Sequence, residues 1–90
     1  MNIELTLIGK PGCHLCEDAK DAVDRVLSDF LASHSDVSVS LAERNILDDA
    51  ELAARYSEEI QVLLINGKVH NYWRIDEERF IGALNALVEN

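Results

Sequence analysis

Cys13 and Cys16 are the only thiols in the 90-residue chain, and they stand three positions apart. Along a helix that spacing brings two side chains to one edge, close enough for a disulfide with little backbone movement. The residues just before them, Gly9-Lys10-Pro11-Gly12, break an apolar segment, and those after open the most regular helical pattern in the sequence. Cys13 is therefore expected at a helix start, among backbone N–H groups without carbonyl partners, where a thiolate is favoured over a thiol. From that exposed position Cys13 would attack a disulfide. Cys16, one turn further in and flanked by Leu15 and Ala19, would resolve the mixed disulfide from a more buried place.

Nearby charges act on Cys13 in opposite directions. Lys10 and a protonated His14 favour the thiolate, whereas Glu17 and Asp18 oppose it. Surface charges are screened over about 8 Å at physiological salt, while the helix terminus acts at contact, so a net fall in the Cys13 pKa is expected. Two other readings compete with a redox dithiol. A structural zinc site usually needs a second pair of Cys or His at fixed spacing. No further cysteine exists, and His14, His34 and His70 form no ligand pair, so no metal and no cofactor is expected. An inert buried pair does not suit a strand–loop–helix junction. His14 itself reads more readily as an exposed neighbour than as a proton shuttle.

The elements that must hold this pair follow from periodicity. Residues 3–8 carry Ile3, Leu5, Leu7 and Ile8 with Glu4 and Thr6 interleaved, a strand with one face more buried than the other. Residues 14–32 carry Leu15, Ala19, Ala22, Val23, Val26, Leu27, Phe30 and Leu31 in steps of three and four, an amphipathic helix. Residues 37–41 alternate again, and that second strand extends to about residue 44. Asp48 is expected to cap a short helix, with Glu51 three positions on and Leu52, Ala53 and Tyr56 as its small apolar edge. Residues 61–65 form a nearly continuous apolar run, as in a strand covered on both faces. Asn66-Gly67 is the preferred two-residue hairpin turn, and residues 68–73 return from it. His70 and Tyr72 are expected to share one face of an edge strand, with Trp73 packing. Asp76 caps a last helix striped by Phe80, Ile81, Leu84, Leu87 and Val88. The order is β-α-β-α-β-β-α in one domain spanning residues 1–90. The first β-α-β unit is a right-handed parallel crossover and the hairpin adds an antiparallel pair, so the sheet is mixed and four-stranded, flanked by helices.

Composition narrows the function classes. A 48% apolar content with one Pro and four Gly excludes disorder. No apolar run approaches the ~18 residues that span a bilayer. Seventeen acidic against eight basic residues, net −9, exclude non-specific nucleic-acid binding and acidic lipid surfaces, which need clustered cations. The acidic surface reads as solvation rather than as a dock for a basic partner. Met1-Asn2-Ile3-Glu4 carries no positive charge ahead of its apolar stretch, so a secretory signal is not expected and a cytoplasmic location is. A monomer is expected.

The fold order resembles the minimal thioredoxin-like architecture. Lys-Pro-x-Cys-x-x-Cys after a first strand, then Ile60-Gln61-Val62-Leu63-Leu64-Ile65-Asn66-Gly67 ahead of a hairpin, resembles the glutaredoxins. The Cys-His-Leu-Cys form and the Trp73-Arg74-Ile75-Asp76 lead-in to the last helix are most similar to a glutaredoxin-like family of small, mostly bacterial proteins. The resemblance covers essentially the whole chain. It implies a thiol–disulfide oxidoreductase acting in electron transport and cell redox homeostasis, with Cys13 as nucleophile and Cys16 as resolving cysteine. Lys10 matches the lysine that helps hold a glutathione carboxylate. Ile60 and Gln61 match the substrate-facing pair that normally ends in a cis-proline, and here Gln61 stands in place of that proline. A cis bond without proline costs ~3 kcal/mol, so the Ile60–Gln61 bond is expected to be trans and the loop facing Cys13 rearranged. Gln61 could donate a side-chain hydrogen bond to a substrate. The segment used for glutathione's other end is replaced by His70-Asn71-Tyr72-Trp73, which makes glutathione a weaker candidate than a disulfide-bearing protein or another low-molecular-weight thiol. Loss of the cis-proline also favours the alternative of a thioredoxin-fold binding module that docks a partner, or holds a metal, through the same dithiol.

Overall fold

The computed structural model of the chain describes residues 2–56, 61–72 and 75–88. Strand β1 (Asn2–Gly9) leads into helix α1 (His14–Ser33), and β2 (Ser38–Asn45) follows. A short 3₁₀ turn (Ile46–Asp48) and helix α2 (Ala50–Tyr56) come next, then β3 (Val62–Ile65), β4 (Lys68–Tyr72) and helix α3 (Glu77–Val88). The strands form one sheet in the order β2-β1-β3-β4. β1 and β2 run parallel, and the other two pairs are antiparallel. This is the mixed four-stranded, thioredoxin-like sheet expected from the sequence.

Two cores form on the two faces of the sheet. On one, Ile3, Leu5 and Leu7 of β1 pack with Val23 and Phe30 of α1 and Phe80 and Leu84 of α3. Burying side chains of this size stabilises by roughly 1.5–3 kcal/mol each, which makes this face the main source of stability. The other core gathers Ile8, Ile46, Tyr56 and Val62. The seven-residue α2 shields only the carboxyl end of β1 there: Ile8 is buried, Thr6 half-buried and Glu4 exposed. The densest two-sided packing in β1 therefore lies where the strand meets the dithiol loop.

Local signals account for most boundaries. Asn66 and Gly67 both take positive φ, 51° and 83°, as the hairpin requires. Asp76 Oδ1 accepts the Arg79 N–H at 3.2 Å and caps α3. Asp48 does not cap α2. Asp49 does, its Oδ1 accepting from Glu51 N–H at 2.9 Å and Leu52 N–H at 3.3 Å. Asp48 is instead held in a 3₁₀ turn that Asn45 caps by accepting the Leu47 N–H at 2.8 Å. β4 is an edge strand, and β3 pairs Leu63 with Asn71 and Leu64 with Val69, leaving His70 as the extra residue of a bulge. The expectations for Trp73 and Arg74 fall outside the described residues. No helix among the described residues is long and apolar enough to cross a membrane.

Candidate active site

β1 ends at Gly9, the loop turns, and α1 opens at His14 with Cys13 as its cap. Cys13 has extended backbone angles (φ −92°, ψ 110°), the conformation of an N-cap. Its carbonyl accepts the Glu17 N–H at 3.2 Å, the first bond of the helix. Its Sγ accepts the Cys16 N–H at 3.1 Å, where most helices place an oxygen. The geometry that caps the helix is therefore the geometry that stabilises negative charge on this sulfur. Cys13 and Cys16 are joined as a disulfide, with their Cα atoms 5.2 Å apart. The three-residue spacing does bring the two thiols together.

Cys16 is seated against β1. A Cβ on Gly9 would lie 2.6 Å from Cys16 Sγ and 3.1 Å from its Cβ, so only glycine lets the sulfur approach the strand this closely. Overall burial does not separate the two cysteines as expected from the sequence, since both are half-buried. What separates them is their partners. Cys13 has a backbone N–H donor at a helix terminus, and Cys16 has the close backbone of Gly9.

The other expected site residues scatter around this pair. The His14 side chain is 96% exposed, with Nδ1 3.8 Å from a Glu17 carboxylate oxygen. Lys10 is exposed on the loop and has no ion-pair partner among the described residues. Gln61 lies one residue beyond the Ile8–Val62 pair, which sets it across from Gly9 at the dithiol end of the sheet. It is fully buried, so in this conformation its side chain offers no surface to a substrate. Ile60 lies outside the described residues.

Other residues at the site carry no motif of their own. Parallel pairing sets Asn45 beside Gly9 and Arg44 beside Ile8, which brings the end of β2 up to the dithiol loop. Glu43, one step back, lies 3.9 Å from Lys20 Nζ on α1. The available signal was topological, since ligands of parallel sheets collect at the carboxyl ends of the strands. Away from the site, His70 packs near Phe80, their ring centres 6.0 Å apart. Burial lowers the His70 pKa, Arg79 lowers it further, and Asp76 opposes both.

Comparison with known proteins agrees with this geometry. The family described as glutaredoxin-like domain (DUF836) matches residues 4–85. An uncharacterized protein of Mycobacterium tuberculosis is 24% identical over 76 residues, covering 84% of this chain and 76% of its own length. The X-ray structure of protein XcR50 from X. campestris aligns with a TM-score of 0.70 and 27% identity, covering 91% of this chain and 96% of that one. The solution structure of protein Ne2328 from Nitrosomonas europaea aligns with a TM-score of 0.73 and 24% identity, covering 91% and 89%. A malaria-parasite thioredoxin-2 shares the fold at 12% identity and a TM-score of 0.63, covering 94% and 82%.

Proposed function

The chain belongs to the glutaredoxin-like domain family, and from that premise we propose that it is a thiol–disulfide oxidoreductase cycling between the Cys13/Cys16 dithiol and disulfide. The observation that carries this reading is the Cys16 N–H donated to Cys13 Sγ at the start of α1. Sulfur is a poor cap compared with Ser or Asp, so a cysteine here is best explained by its reactivity.

In the reduced protein the Cys13 thiolate attacks one sulfur of a substrate disulfide. A Cys13–substrate disulfide forms, and the other substrate sulfur leaves with the electron pair and takes a proton. Cys16, as thiolate, then attacks Cys13 Sγ. The intramolecular disulfide forms and the remaining substrate thiol departs, so two electrons have passed to the substrate. Gly9 lets Cys16 sit close enough for that second step. Lys10 offers a cation beside the loop for a substrate carboxylate. His14 stays in solvent beside Glu17, a surface neighbour rather than a proton shuttle. The substrate class is a disulfide-bearing protein or low-molecular-weight disulfide, and the protein works as a monomer in the cytoplasm.

Dithiothreitol-driven reduction of insulin tests the proposal. The wild type should accelerate it, Cys13→Ser should fall to the uncatalysed rate, and Cys16→Ser should stall as a mixed disulfide on Cys13. Equal rates for wild type and Cys13→Ser would refute it.

A further inference from the structure

Three large apolar side chains stand exposed among the described residues: Leu15, Leu47 and Val69. Val69 belongs to the hairpin, whose turn bonds back to Glu4 at the opposite end of the sheet from the dithiol. The other two lie at the dithiol end. Leu15 stands between the two cysteines. Leu47 lies two residues beyond Asn45, the partner of Gly9, so its Cα is within about 7 Å of the Asn45 Cα. Single exposed leucines are ordinary on a protein surface. Two of three at the reactive end, on separate elements, form a surface that a partner can use.

Leu47 is the most exposed of the three, at 72%, and its neighbours hold it outward. Its N–H donates to Asn45 Oδ1 at 2.8 Å, Ile46 before it is buried, and Asp49 beyond it caps α2. It packs in neither core, so the fold itself gives no reason for a leucine here. Covering such a side chain is favourable, because it removes apolar area from water.

The position of Leu47 selects what can cover it. A cleft of about 290 Å³ lies between the dithiol loop and the end of β2, with Gly9, Pro11, Cys16 and Asn45 on its wall. Cys13 does not border this cleft. A molecule joined to Cys13 must extend across it to reach the turn that holds Leu47. A small disulfide covers only the surroundings of the sulfur. A protein surface of ordinary interface size covers both.

We propose that Leu47 is a docking anchor for protein substrates, covered by an apolar side chain of the partner while the partner's disulfide reacts at Cys13. The proposal rests on the redox reading above and adds the substrate class: protein disulfides are preferred to small ones. The exchange itself proceeds as already described, and Leu47 contributes binding without touching the sulfurs.

The test mixes the pre-reduced full-length protein with insulin or with hydroxyethyl disulfide. Acid quenching and maleimide capture then follow the loss of its two free thiols. Leu47→Ser should slow the reaction with insulin roughly three- to tenfold, the scale of truncating one interface anchor. The same variant should react with hydroxyethyl disulfide within about twofold of the wild type, because that substrate does not reach the turn. Leu47→Met, which keeps an apolar side chain of similar volume, should react with insulin near the wild-type rate. Val69→Ser, at the opposite end of the sheet, should alter neither reaction. Thermal unfolding of Leu47→Ser should match the wild type, since neither core loses a contact. Leu47→Ser slowing neither substrate, slowing both alike, or being matched by Val69→Ser on insulin overturns the proposal and leaves the redox reading standing. A wild type that loses no thiols to either disulfide refutes the redox reading, and the proposal with it.

Discussion

Helices α1 and α3 begin with the same pair of hydrogen bonds, and only the side-chain acceptor differs. At α3, Asp76 Oδ1 accepts the N–H three residues on at 3.2 Å, and the Asp76 carbonyl accepts the Phe80 N–H at 2.9 Å. At α1, Cys13 Sγ accepts the N–H three residues on at 3.1 Å, and the Cys13 carbonyl accepts the Glu17 N–H at 3.2 Å. Asp is among the best N-caps, and cysteine is not in the preferred set. The twenty-residue α1 can carry the weaker cap because Ala19, Ala22, Val23, Val26 and Phe30 anchor it in the core. The twelve-residue α3 buries only Phe80 and Leu84, and it has the better cap. One helix start is built for stability, and the other gives up some stability to present a reactive sulfur.

The largest break in this comparison should come from Gly9→Ala. The new Cβ meets Cys16 Sγ at 2.6 Å, so the start of α1 must shift away from β1. Urea unfolding of the oxidised protein should show a loss of about 1–3 kcal/mol, the usual scale of overpacking. An unchanged midpoint would mean that Cys16 has room to spare. Asp76→Ala should cost about 1 kcal/mol in the same measurement and leave insulin reduction unaffected. Cys13→Ser, compared with the reduced wild type, should be more stable by roughly 0.5 kcal/mol, because an oxygen cap replaces sulfur while activity is lost.

The smallest effect concerns the α3 side alone. His70 Nε2 is buried with no hydrogen-bond partner among the described residues, and burial together with Arg79 holds its pKa below 6.5. The unfolded chain therefore binds this proton more readily than the native one. The stabilisation is fully present above pH 6.5 and is lost as pH falls through the lower native value. Thermal unfolding followed from about pH 7.5 down to about pH 5 should show a fall in Tm that His70→Phe reduces. An identical slope in both proteins would remove His70 from the account.

What could be read from the sequence was local. The alternation in β1, the stripe of α1, the Asn66-Gly67 turn and the Asp76 cap each depend on residues within a few positions of one another, and the structure has all four. The shift of the α2 cap from Asp48 to Asp49 shows where local reasoning fails. Two adjacent aspartates have equal capping propensity, and the choice was made by Asn45, which tied up the intervening turn. The pairing of the two thiols was legible from their spacing. The contact between Gly9 and Cys16, and the meeting of Arg44 and Asn45 with the dithiol loop, were not, because they arise from packing across residues far apart in the chain. Gln61 was read two ways: its place in the 61–65 run covered on both faces agrees with its full burial, whereas its place in the motif pointed it at a substrate.

The central claim is that the start of α1 makes Cys13 a thiolate. It is tested most directly by the pH dependence of iodoacetamide alkylation in Cys16→Ser, where Cys13 is the sole thiol and residue 16 keeps its N–H. The account predicts a midpoint below the ~8.5 of a free cysteine. A midpoint at or above that value would contradict it.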